Sequence, residues 1–389
     1  MRRLLAGARV FTGDRIVDGH TVVLDGDRVA AVLPAGDAPS DARARRLPAD
    51  SLLVPGFIDV QINGAGGVLF NDTPTVDAAL AIAAVVRRTG TTSILPTLIT
   101  DETSKLQQAC DAAALAIGRP AGGVLGVHLE GPFLSRERPG VHPARWMRRP
   151  DAGDLALLVA AARRFDGRGR LLITLAPECV DDADIAQLAA AGIIVAAGHT
   201  AATVERTREA LAAGVRGFTH LGNAMPPIAN RQPGPIVAAL ADPDAWCCII
   251  VDGLHVHPAL LRLVVQVKPP GKVVVVTDAM PTVGSDAASF QLFGRTIRRQ
   301  DGRLVTDDGV LAGADIDMAA SVRNCVQLLG LPLEDSLRMA SLYPAAYLGL
   351  DRELGRIAPG YRADLALIRP DLGVLATWVA GDEQWYESI

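Results

Sequence analysis

From about Pro55 onward the chain alternates short, wholly apolar runs with helix-length stretches, and this rhythm limits its fold more than anything else in the 389 residues. Apolar runs stand at Phe57–Ile62, Thr92–Pro96, Val124–Leu129, Leu171–Leu175, Ile193–Ala197, Gly217–His220, Cys247–Val251 and Val273–Thr277. Between them Val76–Arg88, Thr103–Ile117, Ala183–Ala190, Thr203–Ala212 and Pro258–Val267 read as helices. Strands without polar alternation are buried on both faces, as parallel strands covered by helices are. Eight such units predict an α/β fold, a (β/α)8 TIM barrel over residues 55–349, with its chemistry at the C-terminal ends of the strands. A doubly wound open sheet is the alternative.

A last helix is expected at Glu334–Leu348. Strand texture appears at Leu4–Val10, Thr21–Leu24 and Arg28–Val32, and returns at Leu365–Ile368 and Val374–Val379. Residues 1–54 and 350–389 are therefore expected to assemble one small β-sandwich from the two termini. Aromatic residues make up only 4% of the chain, so the core must come from Ala, Val, Leu and Ile. The net charge of −5 and the lack of a basic block argue against a nucleic-acid partner. No apolar run reaches the roughly 18 residues of a membrane span, and Gly7, Arg9 and Asp14 interrupt the N-terminal run too early for a secretory signal. Five cysteines without a C-x-x-C pair read as reduced thiols in a cytoplasmic protein. Of these, Cys247 and Cys248 fall in an apolar run and read as packing.

Six of the seven histidines (His128, His142, His199, His220, His255 and His257) fall at or just past predicted strand ends. His128 and Glu130 are two apart in the third strand and so share a face. A buried carboxylate there needs a partner, either a metal ion or the neighbouring histidine. His199 and His220 end the fifth and sixth strands. Two imidazoles on adjacent strands with a carboxylate from a third make a three-ligand site with an open position for water, the catalytic form of a zinc-like centre. Asp278 follows the eighth strand and reads either as the cap of a turn or as the general base for that water. His255-x-His257 has ligand spacing, yet its place before Pro258 reads as a loop. Gly64-Ala65-Gly66-Gly67 lacks the ending of a phosphate loop.

Taken together, several segments resemble the amidohydrolase superfamily and, within it, the N-acetylglucosamine-6-phosphate deacetylase family. They are Pro55–Gly64, His128-Leu129-Glu130-Gly131-Pro132-Phe133, Ala197–Thr200, His220–Pro226, Asp252–His255, Thr277–Ala279, Leu311–Gly313 and the closing Gly355–Leu365. The resemblance implies hydrolysis of the acetamide of N-acetyl-D-glucosamine 6-phosphate to D-glucosamine 6-phosphate and acetate. It also implies a homodimer and one divalent ion per subunit, Zn2+ first, with Fe2+, Co2+ or Mn2+ as alternatives. Glu130, His199 and His220 would hold that ion, with Asp278 as base and then acid, and His142 near the acetyl group. Where the superfamily usually has H-x-H, this chain has Gln61 and Asn63; amides are poor ligands for such ions, so a second, deeper metal is not expected.

Gln61, Asn63, Val141, His142, Asn223, Ala224, Arg231, Asp252, Gly253, Leu254, His255, Leu311, Ala312 and Gly313 match substrate positions, with Arg231 and His255 at the phosphate. Asp315 and Asp317 are a departure; they either repel a phosphate or cap the next helix. Other readings are an amidohydrolase of a different N-acyl sugar phosphate or cyclic amide, and a catalytically silent barrel that binds a sugar phosphate.

Overall fold

A computed structural model describes residues 2–37 and 43–386. Eight parallel strands pair in chain order: Phe57–Ile62, Thr91–Ile99, Gly126–Glu130, Arg170–Leu175, Ile194–Ala197, Val215–Phe218, Trp246–Ile250 and Val273–Val276. The ends of this sheet meet. Asp278 N–H donates to Gln61 O at 2.9 Å, Asn63 N–H donates to Ala279 O at 2.9 Å, and Ile62 bridges Ala279. The sheet is thus a barrel, not the open alternative, and its seam between eighth and first strands is short.

Alternate residues of each strand go to different cores, as the two-residue period of a strand requires. Cys247, Ile249 and Val251 pack outward with helix residues such as Leu106, Leu158, Leu188 and Leu261. Trp246, Cys248 and Ile250 join Leu95, Leu172, Ile194, Val274 and Val276 in a second cluster. All five cysteines are free thiols, and burial raises those of Cys247 and Cys248 to about 12 and beyond, so both serve as packing.

The expected helices appear at Val76–Arg87, Thr103–Ala116, Asp182–Ala190, Val204–Ala213 and Pro258–Val267. Thr75 and Thr203 cap two of them with side-chain oxygens, satisfying amides that the first turn leaves unpaired. Helices at Ala152–Arg164, Gly234–Ala241 and Met318–Gln327 complete the outer ring. The expected helix 334–348 is two helices, Leu333–Ala340 and Leu342–Tyr347, because Ser341 leaves helical geometry with φ −134° and ψ −72°. A three-stranded antiparallel insert, Ser289–Leu292, Arg295–Gln300 and Arg303–Val305, follows the eighth strand.

The termini form two sheets. One, with four strands, is built from Arg2–Ala6, His20–Asp25, Arg28–Pro34 and Arg43–Arg46. The other, with six, carries Arg9–Phe11, Ile16–Val17, Leu52–Pro55, Leu365–Ile368, Val374–Val379 and Asp382–Trp385. Leu5, Val22 and Leu24 of the first share a core with Val10, Leu53, Leu365 and Trp378 of the second. Leu52–Pro55 runs almost directly into the first barrel strand, so this sandwich anchors the strand that closes the barrel. Among the described residues no helix is long and apolar enough to cross a membrane.

Candidate active site

Toward the C-terminal ends of the strands the barrel interior turns from apolar to polar. His128 is fully buried, and its Nε2 lies 2.7 Å from Thr174 Oγ1, which lies 2.6 Å from Thr219 Oγ1. Burial lowers its pKa to about 4. His128 therefore belongs to a neutral hydrogen-bond chain and is not the partner of Glu130, which answers the question left open by their spacing.

Glu130 Oε1 instead faces two rings, His199 Nε2 at 3.1 Å and His220 Nε2 at 2.8 Å. The ligand atoms of these three buried residues all lie within 4.8 Å of one another. His199 Nδ1 sits 2.9 Å from Arg138 O, and a carbonyl only accepts, so Nδ1 carries the proton. In the neutral ring Nε2 is then a bare lone pair aimed at a carboxylate oxygen. A cation between these acceptors resolves the clash, and one carboxylate with two imidazoles suits a divalent ion. Without an ion, the alternative is a proton on the rings facing Glu130: burial pushes the carboxyl up, but hydrogen bonds and charge from His199 and His220 protonated on that side outweigh it and hold it well below its usual range. For His220, burial pushes down and the Glu130 bond and charge prevail, so its pKa is raised.

The other side of the rim is held differently. Gln61 Nε2 donates to Glu130 Oε2 and Asp278 Oδ1, each at 3.2 Å, and Asn63 Nδ2 donates to Asp278 Oδ1 at 2.6 Å. The Gln61 amide N–H group thus stands between the two carboxylates, and Asn63 adds a second donor to Asp278. Asp278 is pushed up to about 6 by burial and by the charge of Glu130, against the lowering effects of His220, His255 and Asn63. A carboxyl poised there exchanges a proton near neutral pH. Asp278 also carries its backbone at φ +54°, and His199 and His220 sit at +47° and +31°. Left-handed backbone at non-glycine residues costs about 1–3 kcal/mol each and collects at functional sites.

A loop folds over these groups. Ser135 N–H donates to His199 O at 3.0 Å, and Gly140 passes so close that a Cβ there would lie 3.2 Å from His199 Cε1. His142 lies against His199 at a tilt, with ring centroids 4.3 Å apart and planes 55° from parallel. Its Nδ1 receives the Thr100 N–H at 3.3 Å, which puts the ring proton on Nε2. Burial, then the neighbouring His199, holds its pKa well below 6.5, so this is a neutral N–H donor. The antiparallel insert supports the loop: Val141 packs against a cluster that includes Leu292, Ile297 and Leu304 of the insert, and Trp146 meets Phe293 edge-on at 5.5 Å.

The cavity above the metal group measures about 470 Å³. Its wall includes Asn63, Glu130, Val141, His142, His199, His220, Asn223, Ala224, His255, Asp278, Leu311 and Gly313. His255 is oriented by Asp252 at 2.6 Å, and Asp252 Oδ1 also takes the N–H groups of Leu254 and His255. Burial raises the Asp252 carboxyl, yet the bond from His255 and its charge keep it below the ordinary value. Gln61, Asp252, Gly253, Leu254 and Ala312 stand behind the wall, not in it. Arg231 lies on an exposed segment, 227–232, outside its own chain's cavity. Asp317 caps the helix Met318–Gln327 through Ala320 N–H at 2.8 Å, and Asp315 pairs with Arg299 at 2.7 Å, so neither faces the cavity. His257 likewise caps a helix, through Ala259 N–H.

The polar, proline-broken segment Glu137–Pro143 reads in sequence as a loop over the site, without singling out Glu137, Arg138 and Gly140, which line the cavity, or Thr100, which sets the His142 tautomer. Nothing in that segment signals that a backbone carbonyl orients His199.

A parallel barrel with a buried Glu/His/His group and an opposed carboxylate at its mouth defines the class of metal-dependent barrel hydrolases. The chain belongs to the amidohydrolase family, whose model matches residues 52–383, while residues 4–48 match the NagA composite domain. That family is metal-dependent. The chain is 38% identical to the N-acetylgalactosamine-6-phosphate deacetylase of Shewanella sp. (strain ANA-3), over 97% of this chain and 94% of the relative. It is 32% identical to the N-acetylglucosamine-6-phosphate deacetylase of Haemophilus influenzae over the full length of both. The crystal structure of N-acetylglucosamine-6-phosphate deacetylase from Pasteurella multocida superposes with a TM-score of 0.94 at 36% identity, covering 99% of this chain and 100% of that one. A mutant of the Mycobacterium smegmatis deacetylase, in complex with N-acetyl-D-glucosamine-6-phosphate, superposes at 0.89 with 35% identity, covering 98% of this chain and 99% of that one.

Proposed function

We propose that this chain hydrolyses the acetamide of N-acetyl-D-glucosamine 6-phosphate to D-glucosamine 6-phosphate and acetate, as a cytoplasmic homodimer with one ion, Zn2+, held by Glu130, His199 and His220. The observation that carries this reading is the pairing of that group with Asp278 across one cavity, on a chain similar throughout to deacetylases of amino-sugar phosphates. An ion in that position supplies Lewis acidity to the acetyl carbonyl and lowers the pKa of water from about 15.7 toward 7.

The chain's own residues do the rest. Asp278 Oδ1 is occupied by Gln61 and Asn63, which leaves Oδ2 to take the proton of the attacking water. Water oxygen bonds to the acetyl carbon, the carbon–nitrogen bond breaks, and Asp278 passes its proton to the departing nitrogen. His142, with its proton on Nε2, donates to the carbonyl oxygen as charge builds there. His255, fixed by Asp252, lines the end of the cavity that takes the phosphate. Arg231, exposed outside its own chain's cavity, would in a homodimer meet the phosphate bound by the partner copy.

Purified protein incubated with the acetylated sugar phosphate is expected to release acetate and free amine in equal amounts, and to stop after a chelator strips the ion. Tight sugar-phosphate binding without acetate in the metal-loaded protein would instead identify a silent barrel. The 38% identity to the Shewanella protein favours a second reading, the C4 epimer N-acetylgalactosamine 6-phosphate as substrate. The ratio of kcat/KM for the two epimers decides between them.

A further inference from the structure

Asp59 takes no part in the chemistry above, yet it is 1% exposed and lies at the barrel seam. The first strand is irregular there: Asp59 pairs with Ile94 and Ile62 with Pro96, so three steps on one strand match two on the next. Such a bulge re-aims a side chain and leaves an amide without its ladder partner. Here that amide is Gln61 N–H, and Asp59 Oδ1 accepts it at 3.2 Å. The same oxygen accepts Thr277 N–H at 3.3 Å, and Oδ2 takes the Thr277 hydroxyl. Thr277 Oγ1 in turn accepts Ala279 N–H at 3.1 Å. One carboxyl group therefore holds the residue before Asp278, the residue after it through Thr277, and the backbone of Gln61, whose side chain donates to Asp278 Oδ1. Asp278 itself adopts φ +54°, a conformation that only fixed surroundings maintain.

We propose that Asp59 is a positioning residue for the general base: through Thr277 and Gln61 it sets where Asp278 presents its free oxygen. The inference rests on Asp278 being that base. A carboxyl that merely knits the barrel together would affect stability alone; one that aims the base governs the chemical step while leaving substrate and metal binding intact.

The test compares metal-loaded wild type with Asp59→Asn, Asp59→Ala, Thr277→Val and Asp278→Asn. Asp59→Asn keeps an oxygen for both amides and is expected to lower kcat about tenfold; Asp59→Ala loses every bond and is expected to lower it about a hundredfold, as small misplacements of reacting groups do. KM and ion content should stay within about threefold of wild type, since Asp59 touches neither substrate nor ion ligands and holds Gln61 by its backbone N–H, not by the side chain that reaches Glu130. Thr277→Val removes only the hydroxyl link and is expected to cost about tenfold in kcat, which keeps the test open if Asp59→Ala does not fold. Wild-type kcat in Asp59→Asn and Thr277→Val overturns the proposal, and so does a loss carried by KM or by ion content. If Asp278→Asn keeps wild-type kcat, the assignment of the base fails instead, whatever the Asp59 variants do.

Discussion

The two halves of the barrel rim solve the same electrostatic problem in different ways. On the third, fifth and sixth strands, Glu130 is met by His199 and His220 in a geometry that suits a cation. On the first and eighth, Asp278 is met by the amide N–H groups of Gln61 and Asn63. On the proposed reading, an ion would compensate charge where a Lewis acid is needed, and neutral donors do so where a proton would come and go. A second ion beside Asp278 would hold its carboxyl ionised; an amide leaves it near 6, able to cycle.

The metal half should break first and hardest. Glu130→Gln removes the one charged ligand, and we expect ion content to fall far below one per chain. Acetate release should drop by about a thousandfold or more, because water would then react at its unassisted acidity. Elemental analysis beside the activity assay reads both, and a variant that keeps its ion and its rate would remove Glu130 from the ligand set. Asp278→Asn should part the halves cleanly. It is expected to keep the ion and lose about 10²–10⁴ in kcat, the range of a general acid–base residue.

Gly140→Ala probes the contact between loop and metal. Its φ is +52°, and the new Cβ would press on His199 Cε1 at 3.2 Å, so the loop must shift from the ring it orients through Arg138 O. Disturbing the group that orients a metal-bound histidine costs about 10–100-fold in affinity. Ion affinity measured by competition with a chelator should fall into that range, while Asp278 remains competent once the site is saturated.

Much of this was legible in the sequence because burial and chemistry coincide along the strands. Phe57–Ile62, Pro258–Val267, Leu365–Ile368 and Val374–Val379 fall where their apolar runs end, and Glu130, His199 and His220 meet as their strand positions require. The helix Ala152–Arg164 was passed over although Asp151 and Asp154 form a reciprocal capping box at its start. The insert was missed for a different reason. Its strands are short and half-exposed, and only Phe290, Leu292, Ile297 and Leu304 mark the buried side, with turns at Phe293-Gly294 and Asp301-Gly302. Gln61 and Asn63 were read as failed ligands that touch substrate. Their role as donors to two carboxylates depends on the bulge and on the barrel seam, and neither of these has a signature in the spacing of residues.

The amide half yields the smallest rate effect and the sharpest signature. Asn63→Leu deletes the 2.6 Å bond to Asp278 Oδ1 and leaves Gln61 in place. A hydrogen bond donated to a carboxylate favours its ionised form, so its loss raises the pKa of Asp278. The base acts ionised, and activity is therefore lost as pH falls through that pKa. The acidic limb of kcat is expected to move to higher pH than in wild type measured alongside, with less than about a tenfold change at the plateau. Ion content should be unchanged, since Asn63 does not touch Glu130, His199 or His220 in the hydrogen bonds described. An acidic limb that stays in place, or moves to lower pH, would show that the profile reports some group other than Asp278. The contrast between an ion-held half and an amide-held half would then have no consequence for proton transfer.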